Sequence, residues 1–201
     1  MVNFFFADNT VLVSFAIIGR MDLLETLFCG RGRWCPTVRD ECLESAKQPD
    51  LESIAAAEGF LGEPVPPTTP ELRLTREFRD QLAGPQERNP RKHLGEAETL
   101  AVMVQRYGSE ILVTDDRSAR RLAAEHNIVV VTTLTLLQMV VRVGLAAPED
   151  VLEYLQLLRP RGAPYIRGVT DLRAWAGCHP LAAAAEPDDT DDAADDRELD
   201  D

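Results

Sequence analysis

Short apolar runs alternate with amphipathic stretches along this chain, and several of the runs end on acidic residues. Val2 to Ala7 is apolar and aromatic-rich, which predicts a short buried strand. Asp8-Asn9-Thr10 offers capping side chains for a helix over VLVSFAIIG, and Met21 to Phe28 continues with a second helical pattern. A Gly/Arg turn, Gly30 to Arg33, leads into Trp34-Cys35-Pro36, read as a short strand. Thr37 then stands as the cap of a helix over VRDECLESAK, with Asp40 in the capping-box position. LESIAAAEGFL predicts a further helix, closed by Gly62 and the Pro-rich loop from Pro64 to Pro70. A polar, Arg-bearing segment, ELRLTREFRDQLA, runs on into a second loop through Gly84, Pro85 and Pro90.

From Gly95 onward the alternation is regular. GEAETLAVMVQRYG reads as a helix with Gly108 past its end, ILVTD as a strand and RSARRLAAEHN as a helix. IVVVTT follows as a strand, LTLLQMVVRVG as a helix, and PEDVLEYLQLL as a helix with Pro148 near its start. Helices and strands in alternation with short connections specify βαβ units, hence an α/β fold whose parallel sheet is covered on both faces. Functional groups in such sheets gather at the carboxyl ends of the strands, where Asp8 and the pair Asp115/Asp116 would lie together. Val169 to Ala176 suggests a short peripheral helix, and from about Leu181 the Ala/Asp/Glu composition predicts a disordered tail.

The 201 residues suffice for one domain with its own core. A net charge of −13 argues against a nucleic-acid partner until its distribution is seen. Glu186 to Asp201 holds ten acids and one arginine, so the rest of the chain carries only −4. Those tail acids read as a solvating extension or, alternatively, as a nucleic-acid mimic lying over a basic groove. Cys29, Cys35, Cys42 and Cys178 form no CxxC pair, and are expected to be reduced thiols of a cytoplasmic protein. MVNFFFADN has no basic region and no small-residue cleavage site, so a signal peptide is not expected. Ile128 to Ala147 has the length of a membrane span, but its β-branched start and Leu-rich continuation with Gln138 and Arg142 read better as a strand and a core helix.

Four acidic clusters stand at the boundaries between these segments: Asp8, Glu41 beside Asp40, Glu96 with Glu98 in GEAE, and Asp115 with Asp116 in TDD. Gathering carboxylates is costly, because like charges raise each other's pKa. A fold that does so usually holds a divalent cation, and hard oxygen donors without a His/Cys set point to Mg²⁺ or Mn²⁺. Each cluster also has a bland reading: Asp8 as a helix cap, Glu41 as a surface glutamate, the GEAE acids as favourable charges in a first helical turn. Ala97, Leu100, Ala101 and Val104 form the buried stripe of that helix, and Glu96 and Glu98 flank it on opposite sides, so only one of them can face a common site. Arg117, Arg120 and Arg121 directly after TDD would suit a phosphate-bearing substrate. Arg73, Arg76, Arg79, Arg91 and Lys92 are candidates to extend the groove.

Asp8-x-Thr10 after an apolar strand, Glu41 in a V-x-x-E helix, G-E-A-E opening a helix and L-V-T-x-D closing a strand together resemble, in order, the PIN-domain nucleases. The resemblance runs from about Val2 to Leu145. It implies a three-layer α/β/α sandwich with a central parallel sheet and Mg²⁺- or Mn²⁺-dependent cleavage of RNA. Carried over by position, Asp8, Glu41, Glu98 and Asp116 are the catalytic metal ligands, supported by Glu96, Asp115 and Thr10. The best-known members are toxins of bacterial toxin–antitoxin pairs, so an antitoxin protein and a homodimer are partner options beside the RNA substrate. The chain would then divide into a PIN-like domain over 1–160 with an insertion at about 62–92, a peripheral segment over 161–180 and the acidic tail over 181–201. Two other readings stay open. One is a non-catalytic PIN-like module that binds RNA or protein over a vestigial metal site, although no acid position has been lost. The other is a Rossmann-like binder, against which no GxGxxG follows the first strand.

Overall fold

Phe5, Phe6 and Ala7 are all buried, as a strand covered on both faces must be. They form β1 (Phe5–Ala7) in the interior of an all-parallel sheet in a computed structural model that describes residues 3–83, 87–89 and 91–177. The elements that follow are α1 (Asn9–Ile17), α2 (Met21–Phe28), β2 (Gly32–Arg33), α3 (Pro36–Ser45), α4 (Ala57–Leu61) and α5 (Thr69–Ala83). Then come α6 (Leu94–Arg106), β3 (Ile111–Val113), α7 (Arg117–Glu125), β4 (Val129–Val131), α8 (Thr133–Val143), α9 (Pro148–Leu157) and α10 (Val169–Trp175). The strand order is β2-β1-β3-β4, with Phe5 opposite Ile111 and Ala7 opposite Val113. The chain therefore leaves β1 towards one edge and returns to β3 on the other side. This reversal opens a crevice between β1 and β3 at their carboxyl ends.

Side chains on successive strand residues point to opposite faces and divide the interior in two. Phe5, Ala7 and Val113 pack with α1, α2, α8, α9 and α10, and α3 adds Val38 and Cys42 to the same core. Phe6 and Leu112 pack with α5, α6 and α7. The result is the three-layer α/β/α sandwich with a parallel sheet. No helix among the described residues is long and apolar enough to cross a membrane. Cys29, Cys35 and Cys42 are free thiols, the last two buried. The loop positions Gly84, Pro85 and Pro90, together with Cys178 and the acidic tail, lie outside the described residues.

Three local expectations change. β2 ends at Arg33, and Cys35-Pro36 instead opens α3, with Cys35 as N-cap and Pro36 in the first turn. The N-cap makes no side-chain bond, and the Glu98 carboxylate from α6 accepts the Thr37 N–H at 2.9 Å. LESIAAAEGFL is split into a 3₁₀ stretch (Glu52–Ala56) and the short α4. ELRLTREFRDQLA lies within α5, whose buried stripe is Glu71, Thr75, Phe78 and Leu82. Two of those four are polar, which hides the helical periodicity.

Glu71 is 1% exposed and receives Arg106 at 2.6 Å, together with the Thr68 N–H and hydroxyl. Burial pushes its carboxyl up, but these donors outweigh it and hold the group below its ordinary value. Arg106→Ala would leave that carboxylate buried with fewer partners. We expect a loss of about 2 kcal/mol in denaturant unfolding, because the Thr68 donors remain. Unchanged stability would show the pair to be dispensable. At the far end, α10 buries Leu172, and Gln138 donates to the Trp175 carbonyl at 2.9 Å.

Candidate metal centre

Asp8 follows β1 directly, at the β1/β3 crevice, and its N–H continues the sheet by donating to the Val113 carbonyl at 2.9 Å. It occupies the N-cap position of α1, yet its side chain makes no capping bond. Its Oδ2 instead accepts from the hydroxyls of Thr10 and Thr114, the latter at 2.9 Å. The side chain is almost fully buried, and burial raises its pKa against the pull of those hydroxyls.

Asp116, three residues beyond β3, caps α7 by accepting the Ala119 N–H at 2.6 Å with Oδ1. Its own N–H donates to Thr114 Oγ1, so one threonine orients both aspartates. Asp115 points elsewhere. Its oxygens accept from the N–H and hydroxyl of Thr133 and from Ser14, which fastens β3 to the start of α8.

The two glutamates of GEAE part as the helical geometry requires. Glu98 turns to the N-terminus of α3 and is bonded to Thr37. Glu96 turns to the crevice: its carboxyl is pushed up to about 8 by burial, then by the charges of Asp8, Glu41 and Asp116. Glu41, on α3, is raised to about 7 by burial and then chiefly by Asp8, with Glu98 a smaller repulsion. Its carboxylate lies over the Gly95 backbone, where a Cβ would come within 2.7 Å of Oε2. The glycine of GEAE is thus the space that Glu41 fills.

One residue of this centre is absent from the sequence reading. His93 ends the turn before α6, with φ of 61°, and Nδ1 lies 3.7 Å from Glu96 Oε1. One donor atom each from His93, Glu96 and Asp116 falls within 4.8 Å of the others. The signal available was its place three residues before Glu96, one helical turn away. Among the described residues, no lysine or arginine pairs with Asp8, Glu41, Glu96 or Asp116. Crowded carboxyls without a counter-ion, a buried imidazole nitrogen without a hydrogen-bond partner and the cradle at Gly95 fit a divalent cation.

Beside the acids, across Asp115, lies a cavity of about 490 Å³ lined by Ser14, Arg117, Arg120, Thr133 and Arg161. Arg161, from the 3₁₀ turn Arg159–Arg161, was not anticipated; its Nε donates to Ser14 Oγ and its Nη2 to the Thr10 carbonyl, both at 3.1 Å. Arg121 is exposed on α7 and does not line the cavity. Lys92 is bound to Glu87 at 2.6 Å, and Arg91 is exposed in the turn before His93. Arg79 is held by Asp80 and the Asn89 carbonyl, while Arg73 and Arg76 are exposed on α5.

A parallel α/β/α sheet with carboxylates converging at its switch point is the framework of a nuclease-type domain. The chain belongs to the PIN-domain family: a family model described as DUF3368, PIN domain, matches residues 4–169. PIN domains are in general metal-dependent nucleases that bind divalent ions. No curated protein and no solved structure matches the chain significantly.

Proposed function

We propose that this protein is a metal-dependent endoribonuclease that hydrolyses phosphodiester bonds of RNA. The observation that supports it is the convergence of acids without basic partners at the β1/β3 crevice. Asp8, Glu41, Glu96 and Asp116 would hold one or two ions, Mg²⁺ or Mn²⁺. Glu96 takes the role that the resemblance gave to Glu98, whose carboxylate is engaged with Thr37. A bound ion supplies a water of lowered pKa and offsets charge on the reacting phosphate.

The chain's own groups do the remaining work. Thr10 and Thr114 orient Asp8, and the α7 cap fixes Asp116. Glu41 and Glu96 would hold an ion as ionised carboxylates, since only that form is a ligand. Arg117, Arg120 and Arg161 stand where they can bind phosphates flanking the scissile one. Membership of a toxin–antitoxin pair, with an antitoxin protein as partner, extends the same proposal; a small DNA-binding protein encoded alongside would support it.

The test is incubation of the purified protein with structured and unstructured RNA in Mn²⁺, Mg²⁺ or EDTA, with Asp8→Asn alongside. Cleavage that needs the ion and is lost in the variant is expected. Equal behaviour of wild type and variant would sink the nuclease reading and leave a non-catalytic binding module.

A further inference from the structure

His93 sits in the left-handed backbone region, which residues with a Cβ adopt infrequently unless their surroundings hold them there. The conformation carries its imidazole towards Glu96 and Asp116. Nδ1 is buried and has no hydrogen-bond partner. At 3.7 Å from Glu96 Oε1 it is beyond the distance of a hydrogen bond. The ring is therefore aimed at two carboxylates without bonding either. Two atoms bonded to one ion at about 2.0–2.2 Å lie no more than about 4.4 Å apart. The separations among His93, Glu96 and Asp116, all within 4.8 Å, need contract by only a few tenths of an ångström to reach that.

We propose that His93 supplies an imidazole nitrogen, Nδ1, to the divalent ion, and that the centre therefore selects a first-row transition ion such as Mn²⁺ over Mg²⁺. This rests on the metal centre proposed above, but it changes the chemistry of the donor set. Mg²⁺ is held by oxygen ligands and retains several waters. A mixed imidazole–carboxylate set favours transition ions, whose affinity for nitrogen exceeds that of Mg²⁺.

The experiment uses the full chain loaded with Mn²⁺ alone and reads pulsed electron paramagnetic resonance for ¹⁴N coupling. Calorimetric titrations with Mn²⁺ and with Mg²⁺ run beside it. Wild type should show nitrogen coupling and bind Mn²⁺ at least tenfold more tightly than Mg²⁺. His93→Asn, chosen because asparagine tolerates a left-handed backbone, should lose the coupling and most of the Mn²⁺ preference while its Mg²⁺ affinity stays within about threefold. Mn²⁺ bound without nitrogen coupling, yet lost in Asp8→Asn, would overturn the role of His93 and leave the carboxylate centre standing. No binding of either ion to wild type would overturn both.

Discussion

Glu96→Gln should abolish metal-dependent cleavage while Glu98→Gln leaves most of it. Glu96 shares the crevice with Asp8, Glu41 and Asp116, and burial, reinforced by those charges, raises its carboxyl to about 8. A neutral amide there removes an anionic ligand. We expect a fall of more than about 100-fold, since even residues that only orient a metal ligand cost about 10–100-fold. Glu98 does its work at the start of α3, and glutamine keeps an oxygen that can accept the Thr37 N–H. Its loss should stay below about tenfold. Single-turnover cleavage of one RNA at saturating Mn²⁺ separates the two variants. The reverse order of effects would return the ligand role to Glu98.

The metal-free protein should lose stability as pH rises from 5 to 8, and a divalent ion should restore it. Unfolded glutamates ionise near their ordinary value of 4.5, whereas folded Glu41 and Glu96 do so at about 7 and about 8. Over that interval the folded state binds more protons than the unfolded chain, so each step up in pH favours unfolding. One pKa unit corresponds to about 1.4 kcal/mol. The two glutamates repel each other and Asp8, so their shifts do not add, and a combined loss on the order of 3 kcal/mol is expected. Glu71 acts in the opposite sense, since its lowered carboxyl stabilises above 4.5 and ceases to as the pH falls below. Thermal unfolding in EDTA should therefore be most resistant near pH 5. The gain in Tm from added Mn²⁺ should widen from pH 5.5 to pH 8, because the ligands must be ionised to bind. A flat profile in EDTA would mean that the acids are not crowded as described.

The layered fold, β1, β3, β4 and the position of Asp8 were legible because they depend on local apolar runs and on the order of elements, whereas the two-residue β2 has no such run. Helical geometry also showed that one glutamate of GEAE must face away, but not which. That choice is set by where α3 lies, and nothing in the local sequence encodes it. The same holds for TDD, where the N-terminus of α8 claims Asp115. The approach of His93 to Glu96 was not legible because it depends on one left-handed backbone angle. Arg161 escaped because 147 residues separate it from Ser14, to which it bonds. The helix α5 was obscured by Glu71 and Thr75 on its inward face, whose burial makes sense only once Arg106 and the Thr68 donors are in place.

The strands of the sheet are only two or three residues long, so the layer between the two sets of helices is narrow along the strand direction. The acids are drawn from both sides of that thin seam. Glu41 rides on α3, whose Val38 and Cys42 belong to one core, and Glu96 on α6, whose Ala97, Leu100 and Ala101 belong to the other. A cation held between them would act as a rivet through the sandwich.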